Sequence, residues 1–331
     1  MTIMIGIDPH KATHTAVAVD EDEVVLGEFK VSASKAQVEL LCEWAEVFDQ
    51  REWAVESANG LGYLVARQLV AAGETVCDVS PMLASRVRVL GSGRSNKNDP
   101  NDARSIAIAA MRSDRPAAVG VDAHARVLRL LVKRHRDMAQ LRATHCVRLH
   151  AMLVELTPGG IATTITVLKA NRLLNDLEPG TEVTQCLVLI ARELIADIAT
   201  LDTTLAASNK RITAAVTASG TSLCDIYGVG PICAATIIGY TGDVNRFDTK
   251  AQFASYNGTA PLEASSGNRV RHRLNPRGNR TVNFAIHIAA VVQFRNQSEG
   301  RIFYDRKIAE GKTHKEAIRA LKRRISDLRG P

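Results

Sequence analysis

The fold is decided by residues 2–31, which read TIMIGIDPHKATHTAVAVDEDEVVLGEFKV. Residues 2–8 are an apolar run, residues 13–20 alternate apolar and polar side chains, and residues 24–31 follow an acidic turn. Runs of this length and patterning, separated by turn residues, are typical of β-strands joined by tight connections. The opening of the chain therefore predicts a meander of three strands.

Strand and helix patterns alternate after the meander. The predicted elements, in order, are a helix from a cap at Ser34 to about Phe48, a strand at residues 53–56, a helix at 61–72, a strand at 75–79, a helix that begins at Pro81, and a helix capped by Asn98 or Asp99 that reaches about Met111. The order βββαβαβ followed by helices matches an α/β domain of the ribonuclease H type. A domain of the Rossmann type would begin βαβ and not with a meander.

The middle of the chain has a purely helical pattern. The apolar stripe of residues 123–156 consists of Leu131, Met138, Cys146 or His145, Leu149, Met152 and Leu156. Helix breakers at residues 157–160 and 179–180 separate this stretch from a second long helix at roughly residues 182–216. Two long helices joined in this way predict an antiparallel coiled-coil arm that dimerises, with a plain helical bundle as the alternative.

The last third of the chain differs from the rest in its glycine pattern. Residues 226–231, IYGVGP, followed by small residues at 234–240, predict a helix-hairpin-helix turn. Such glycine amides can bind a phosphate, or the glycines can simply allow two helices to close together, and both readings stay open. We expect three domains: a ribonuclease H-like unit at residues 1–118, the helical arm at 119–217 and a mostly α-helical domain at 218–331.

Charge is unevenly distributed along the 331 residues, which carry a net charge of +7. Residues 1–120 hold 12 basic and 17 acidic side chains, whereas residues 261–331 hold 16 basic and 6 acidic ones. A basic end favours a polyanionic partner such as nucleic acid, with a solvated basic face that aids solubility as the alternative. The hydrophobic share of 46% excludes a chain that is disordered over most of its length or collagen-like.

The six cysteines lie far apart and have the spacing of neither a zinc site nor a disulfide framework, so we expect them to be reduced. The first residues lack the basic and apolar regions of a secretory signal, and no uninterrupted apolar run reaches the length of a membrane span. These observations predict a cytoplasmic protein without membrane contact.

Four carboxylates lie where the predicted fold brings them together. Asp8 ends the first strand after Gly6, which lets another chain segment approach closely, and Glu56 ends the fourth strand. Asp99 and Asp102 share a face in the first turn of a helix. Four such acids raise one another's pKa unless a cation compensates them. Their hard oxygen ligands suit two Mg²⁺ or Mn²⁺ ions about 4 Å apart, the arrangement used in phosphoryl transfer.

The alternative is that these four acids are structural. Asp99 would then cap its helix, and Asp102 would complement the helix dipole. Asp8 and Glu56 would be solvated strand ends. Taken singly, each residue favours this interpretation, and only their joint placement at strand ends in the right order favours a metal site.

Several short motifs along nearly the whole chain carry a resemblance to a known family. They are Gly6-Ile7-Asp8, Val55-Glu56-Ser57, the stretch NKNDPNDAR at residues 96–104, GVGP at 228–231, FASYNG at 253–258 and PLEASSG at 261–267. With these motifs the chain resembles the DEDD transposases of bacterial insertion sequences, insertion-sequence family one-ten, which are related to pilin-gene DNA invertases. One departure is the loop Ser57-Ala58-Asn59-Gly60, where many relatives have a Thr-Gly pair.

The resemblance implies a resolvase-like ribonuclease H fold and assigns roles to particular residues. The metal-binding tetrad of the family falls on Asp8, Glu56, Asp99 and Asp102. The family's conserved serine falls on Ser266, as the nucleophile that attacks a DNA phosphodiester. The resemblance further implies double-stranded DNA partners at the element ends and target, a structured noncoding RNA that bridges them, and tetramers with composite sites. From the residues alone, Ser266 is first a turn residue, and Ser265 is a rival nucleophile.

Basic residues are predicted to contact the nucleic-acid backbone. They are Lys97, Arg104, Lys133, Arg134, Arg136, Arg269, Arg271, Arg273, Arg277, Arg280, Lys322, Arg323 and Arg324. Aromatic residues make up only 4% of the chain, which argues against an unaided reader of single strands by base stacking. Sequence choice is therefore better assigned to RNA pairing.

The sequence as a whole predicts a metal-dependent DNA recombinase for transposition that uses a serine nucleophile and is guided by a noncoding bridge RNA. A junction-resolving nuclease that uses the tetrad and metal-activated water is an alternative within enzymes. A non-catalytic nucleic-acid scaffold is the alternative from another class. We expect a homo-oligomer between a dimer and a tetramer.

Overall fold

The computed structural model describes residues 2–92, 98–113, 117–120, 124–263, 272–273, 275 and 278–327. The chain divides into two compact units, Met1–Asp122 and Ala123–Pro331. The first is a mixed α/β unit and the second is mostly helical, as the sequence predicted. None of the helices described below combines the length and the apolarity that a membrane span requires.

The first unit is built on one six-stranded sheet. Its strands are β1 (Ile3–Pro9), β2 (Thr13–Val19), β3 (Val25–Ser32), β4 (Arg51–Glu56), β5 (Val76–Val79) and β6 (Ala117–Ala118). Their spatial order is β3-β2-β1-β4-β5-β6, in which β1 pairs antiparallel with β2 and parallel with β4. The predicted meander is therefore confirmed, and the strand order is that of the ribonuclease H fold. The edge strand β6 was not predicted, because two residues are too short for a periodic signal.

Helices cover both faces of this sheet. They are α1 (Gln37–Ala45), α2 (Tyr63–Ala71), α3 (Pro81–Ser92) and α4 (Asp99–Met111). The odd positions of β1, such as Ile5, pack in the core with α1 and α2, whereas Met4 packs in the core with α3 and α4. All seven residues of β1 are buried, which explains why this strand is a continuous apolar run and does not alternate.

The start of α1 differs from the prediction. The helix begins at Gln37, with Ala36 and not Ser34 at the N-cap position, and Ala36 provides no side-chain cap. The side chain of Gln37 is buried, where its Oε1 lies 3.0 Å from His14 Nε2. Its Nε2 donates a hydrogen bond of 2.6 Å to Gln68 Oε1. These tertiary contacts of Gln37 take the place of the local cap that the sequence indicated.

The second unit contains eight helices and a short two-stranded sheet among its described residues. Its elements are α5 (His124–Leu156), α6 (Val167–Asn175), α7 (Glu182–Ala218), α8 (Pro231–Thr241), α9 (Lys250–Tyr256), β7 (Leu262–Glu263), β8 (His272–Arg273), α10 (Arg280–Arg295), α11 (Glu299–Ala309) and α12 (His314–Asp327). Strands β7 and β8 pair antiparallel. The helix α6 was not predicted, since the sequence analysis treated this region only as a connection between helix breakers.

The long helices α5 and α7 run antiparallel and contact each other. Hydrogen bonds connect them at three levels, His124 to Ala215, His135 to Ser208 and Arg142 to Asp202. Of the predicted stripe, Met138 and Leu149 are fully buried. One end of the pair packs in a core with α8, α10 and α12, and the other end packs with α6. The pair is therefore embedded in helical cores at both ends.

The glycine turn before α8 packs tightly against α10. The segment ahead of it is a single 3₁₀ turn, Leu223–Asp225, and not a long helix. Gly228 has a φ of +85°, and a Cβ there would lie 2.8 Å from the carbonyl oxygen of Ala289 on α10. This glycine is required for a close approach of two backbones. The helix-hairpin-helix assignment stays a prediction.

Candidate metal centre

The sheet brings two of the predicted acids side by side. Strands β1 and β4 are parallel neighbours whose last paired residues are Ile7 and Val55, so Asp8 and Glu56 follow at the same edge. Side chains two positions apart share a face of a strand. Asp8 therefore lies on the face of Gly6, and Glu56 on the face of Ala54, which is packed in the core with α3 and α4. Both acids lie on the side of the sheet that α4 covers.

Gly6 explains how α4 reaches this edge. A Cβ at Gly6 would lie 2.7 Å from the backbone nitrogen of Ala107 and closer still to the carbonyl oxygen of Ala103, both on α4. The close approach expected at Gly6 is thus made by α4. The helix starts with Asn98 as its N-cap, whose side chain accepts a hydrogen bond of 2.9 Å from the Asn101 amide. The sequence had left Asn98 and Asp99 open as the cap, and the structure selects Asn98.

Asp8 and Asp99 meet on either side of a histidine. His10 Nδ1 lies 3.6 Å from Asp8 Oδ2, and His10 Nε2 lies 3.9 Å from Asp99 Oδ1. One donor atom from each of the three residues lies within 4.8 Å of the others. Asp8 is only 6% exposed, whereas Asp99 lies at the surface, where Lys30 Nζ is 3.1 Å from its Oδ2. The three residues form one polar cluster that opens to solvent on the Asp99 side.

Glu56 and Asp102 belong to the same electrostatic environment. Burial raises the pKa of Glu56 above its usual value, and the negative charges of Asp8 and Asp102 raise it further. The cationic groups of Arg88 and His10 act in the opposite direction. Arg88 Nη1 also donates a hydrogen bond to Asp102. Glu56 is therefore close enough to Asp8 and Asp102 for their charges to act on it, while Asp99 is connected to Asp8 through His10.

The exposed member of the tetrad is stabilised as a carboxylate. A hydrogen bond from Lys30, together with its positive charge, holds the pKa of Asp99 below its usual value. The site thus combines a Glu56 whose pKa is raised with an Asp99 whose pKa is lowered. Carboxylate oxygens are the ligands that Mg²⁺ and Mn²⁺ prefer in proteins. The residues present fit a divalent cation.

The loop after Glu56 is held in an uncommon backbone conformation. Ser57 has a φ of +51°, a value that residues other than glycine rarely adopt. Its amide donates a hydrogen bond of 3.0 Å to Val79 O, and the Ala58 amide donates one of 2.7 Å to Asp78 Oδ1. Contacts with β5 therefore fix the point at which Glu56 leaves the strand, although this loop departs from the Thr-Gly pattern of relatives. Strained backbone maintained by such contacts is common at functional sites.

The predicted nucleophile lies outside the described residues. Ser266 and its rival Ser265 fall in residues 264–271, which come between β7 and β8 in the chain. The basic residues Lys97, Arg269, Arg271 and Arg277 also lie outside the described residues. Arg273 is described only as a backbone member of β8, where it pairs with Leu262.

The described basic residues among those predicted to contact nucleic acid differ in their exposure. The exposed ones are Lys133, Arg134 and Arg136 on α5, Arg280 at the start of α10 and Arg324 on α12. Arg323 is half-buried, and its Nε donates a hydrogen bond of 3.0 Å to Asp327. Arg104 is also half-buried and donates one of 2.9 Å to the Glu23 carbonyl oxygen. Lys322, which is also predicted to contact the nucleic-acid backbone, is buried, and its Nζ donates a hydrogen bond to Asn283 on α10.

Sequence reasoning did not single out three residues of the cluster. His10 follows Asp8 by two positions, so the motif Asp8-Pro9-His10 contained a local signal for it. Lys30 and Arg88 had no such signal, because they reach Asp99 and Asp102 through the fold. The electrostatic balance of the site is therefore a property of the tertiary structure.

The chain is similar to proteins of bacterial insertion elements. It is 27% identical to the uncharacterized 44.8 kDa protein of insertion element IS116 from Streptomyces clavuligerus, over 98% of this chain and 93% of that protein. It is also 27% identical to the uncharacterized 42 kDa protein of insertion element IS900 from Mycobacterium paratuberculosis, over 97% of this chain and 93% of that protein.

One similar solved structure is T. thermophilus RuvC in complex with a Holliday junction substrate. The sequence identity is 18%, the TM-score is 0.28, and the likeness covers 36% of this chain and 100% of that one. The fold described above is assigned from its strand order and does not depend on this likeness.

Two family models match the chain, one over a range that includes α5 and the other over a range that begins after α7. The model DEDD_Tnp_IS110, described as a transposase, matches residues 5–158. The model described as "Transposase IS116/IS110/IS902 family" matches residues 220–305. The two matched ranges together cover well over half of the chain, and the first contains all four acids of the cluster. The chain therefore belongs to the IS110 family of insertion-sequence transposases, enzymes that act on DNA.

Proposed function

We propose that this transposase cuts and rejoins DNA by metal-dependent phosphoryl transfer with a serine nucleophile. The observation that carries the proposal is the convergence of Asp8, Glu56, Asp99 and Asp102 at one edge of the sheet, with His10 between two of them. Isolated structural acids would not need this grouping, which costs electrostatic free energy. A site of this kind is suited to a cation and to the phosphate that the cation attracts.

The four carboxylates would hold two Mg²⁺ or Mn²⁺ ions. When bound, such ions supply positive charge that stabilises the attacking and leaving oxygens of a phosphoryl transfer. The protein side chains have supporting tasks. Lys30 donates a hydrogen bond to Asp99 and favours its carboxylate form. Arg88 orients Asp102 through their hydrogen bond.

Ser266 is our candidate for the nucleophile, with Ser265 as its rival. The hydroxyl oxygen attacks a backbone phosphorus, the bond from that phosphorus to one deoxyribose oxygen breaks, and a phosphoserine link to one DNA end results. The reverse reaction with another DNA end rejoins the strand and frees the serine. Support for this assignment is the resemblance of PLEASSG at residues 261–267 to the serine motif of the family.

The finer organisation is part of the same proposal. A structured noncoding RNA would choose the DNA sites by base pairing, and a tetramer would combine the acids of one subunit with the serine of another. The antiparallel helices α5 and α7 would serve as the coiled-coil arm of such an assembly, within the domain limits 1–118, 119–217 and 218–331. The turn at Gly228 would act as a helix-hairpin-helix element.

Two variants test the mechanism with DNA that carries the joined ends of the element. Ser266→Ala should lose the covalent protein–DNA adduct that survives denaturing electrophoresis, whereas the matched control Ser265→Ala should keep it. Asp8→Asn should bind the same DNA and neither cut it nor form the adduct. If Ser266→Ala still cuts, the enzyme is a nuclease that uses water. If Asp8→Asn still cuts, the proposed role of the tetrad is wrong.

A further inference from the structure

A basic cleft lies next to the chain segment that leads to the serine motif. The cleft has a volume of about 300 Å³. One wall is the segment from Gly258 to Pro261, which connects α9 to β7, and the other is formed by α12 and the loop before it. Pro261 precedes Ser266 by five positions, and five extended residues span at most about 18 Å. The cleft is therefore close, along the chain, to the proposed nucleophile.

Positive charge dominates the lining of this cleft. The charged lining residues are Lys312, Arg319, Lys322, Arg323 and Glu316. Glu316 is the one acid among the described lining residues, and it accepts hydrogen bonds of 2.9 Å and 2.7 Å from the amide and hydroxyl of Thr313, just before α12. Among the described residues, Lys312 and Arg319 take part in no ion pair. Lys312 and Arg319 are thus exposed cations of the cleft that form no close ion pair, although their charges act on the nearby Glu316 carboxylate.

Lys322 adds a buried cation to the same cleft. It is 8% exposed, and its Nζ donates a hydrogen bond of 2.6 Å to Asn283 Oδ1. No carboxylate of the described residues lies within ion-pair distance of this ammonium group. Burial and the nearby charge of Arg280 lower the pKa of Lys322 to about 8. A buried ammonium group with only a neutral acceptor is stabilised by an anion placed beside it.

The cleft is pre-formed by a hydrogen-bond network beneath it. The buried Asn257 donates from Nδ2 to Ser326 on α12 at 2.8 Å, and its Oδ1 accepts hydrogen bonds from the amide and hydroxyl of Thr259 in the cleft wall. Asn283 donates from Nδ2 to the Asn257 carbonyl oxygen at 2.8 Å, which turns its Oδ1 towards Lys322. The wall and the buried cation are therefore held in place before any ligand binds.

The described residues on the two sides of the serine-bearing segment, Gly258 and Gly278, contact each other at the cleft wall. A Cβ at Gly278 would lie 2.5 Å from the amide nitrogen of Gly258, so the chain after β8 returns to the point at which the cleft wall begins. Gly258 itself has a φ of +72°. An anion in the cleft would consequently lie beside the contact between Gly258 and Gly278.

We infer that this cleft binds a backbone phosphate of the DNA substrate beside the reacting phosphodiester, with Lys312, Arg319 and Lys322 as its cations. The inference rests on the proposed function, because it takes DNA to be the molecule brought to Ser266. Phosphates recur about every 3.4 Å along one strand of a duplex, so a strand attacked at Ser266 presents several within reach of the cleft. The contact would position the strand and would not select its sequence.

The test is the salt dependence of DNA binding by the full-length protein. The probe is a fluorescent duplex of about 30 base pairs, titrated between about 50 and 200 mM salt without divalent metal, so that no cleavage occurs. Arg319→Ala should lose one phosphate contact, which reduces the magnitude of the slope of log K against log salt by about 0.9. The double variant that also carries Lys312→Ala should show a reduction of about twice that size. Lys315→Ala removes an exposed cation of the same helix outside the cleft and should leave the slope unchanged.

Equal slopes for Arg319→Ala and Lys315→Ala would overturn the inference. An effect of Arg319→Ala on an RNA hairpin but not on duplex DNA would overturn the assignment to DNA. The serine mechanism is judged separately, by the covalent adduct. If the wild-type protein forms the adduct but Arg319→Ala has the same salt slope as the wild type, only the inference about the cleft is wrong. If Arg319→Ala reduces the salt slope but the wild-type protein forms no adduct, only the serine mechanism is wrong.

Discussion

Replacing Gly6 by alanine should separate the acids of α4 from the acids of the sheet. The new methyl group would lie 2.7 Å from the Ala107 nitrogen and nearer still to the Ala103 carbonyl oxygen. Carbon atoms reach their optimal separation from neighbours at about 3.5–4.0 Å, so α4 has to move by roughly 1 Å. Both obstacles are backbone atoms of buried residues, which cannot turn aside as a flexible side chain would.

The size of the effect follows from this displacement. Overpacking of a well-filled core costs about 1–3 kcal/mol, and we expect Gly6→Ala to lower the free energy of unfolding by about 2–3 kcal/mol because the clash is with backbone. A shift of about 1 Å in catalytic groups can reduce a rate by about 100-fold. Asp99 and Asp102 move with α4, so DNA cleavage should fall by about that factor even in molecules that remain folded.

The assay is chemical denaturation combined with DNA cleavage under conditions where the variant is folded. Gly27→Ala is the matched control, because a Cβ on that β3 glycine meets the side chains of Trp44 and Phe48 at ordinary distances of 3.4 Å and 3.8 Å. It should change the free energy of unfolding by no more than about 1 kcal/mol and leave cleavage unaffected. If Gly6→Ala matches Gly27→Ala in both measurements, the argument that Gly6 sets the position of α4 is refuted.

Two further predictions concern the charges of the cluster. Lys30→Met should raise the pKa of Asp99 towards its ordinary value of 3.8, because the lysine is the main cause of the lowered pKa, and a carbon-13 NMR titration that finds no rise would contradict this. Glu56→Gln should stabilise the protein in metal-free buffer at neutral pH. The pKa of Glu56 is raised in the folded state, so ionisation of this group reduces stability as pH rises above the ordinary value of 4.5, and glutamine removes that loss. Chemical denaturation below and above pH 4.5 tests this prediction. The stabilisation by glutamine should vanish below pH 4.5 and should decrease when Mg²⁺ is added. A variant that is less stable than the wild type at neutral pH would show that neighbouring charges do not repel the Glu56 carboxylate.

Much of the first unit could be predicted because its signals are local and strong. The meander depends on three strand patterns separated by turns, and the helix carrying Asp99 begins with Asn98 and Pro100, both of which favour a helix start. Once β1 and β4 are placed side by side, Asp8 and Glu56 must lie at one edge. The grouping of the four acids was therefore accessible from pattern and order.

Other features depend on neighbours that are distant in the chain. The start of α1 is decided by the buried contacts of Gln37 with His14 and Gln68, which outweigh the local signal at Ser34. Lys322 has the sequence context of a surface cation, within Lys322-Arg323-Arg324, and yet it is buried against α10. Propensity and charge runs contain no information about which face of a helix meets another helix.

The amino-acid sequence by itself determined the α/β character of the first unit, the helical character of the second and the identity of the four acids that meet. Only the tertiary structure decided that His10, Lys30 and Arg88 lie beside those acids and that Lys322 is buried in a cleft where its ammonium group forms no ion pair with a described carboxylate. The physical reason is the range of the interactions. Strand and helix patterns arise between residues a few positions apart, whereas burial and charge compensation arise between residues that packing alone brings together.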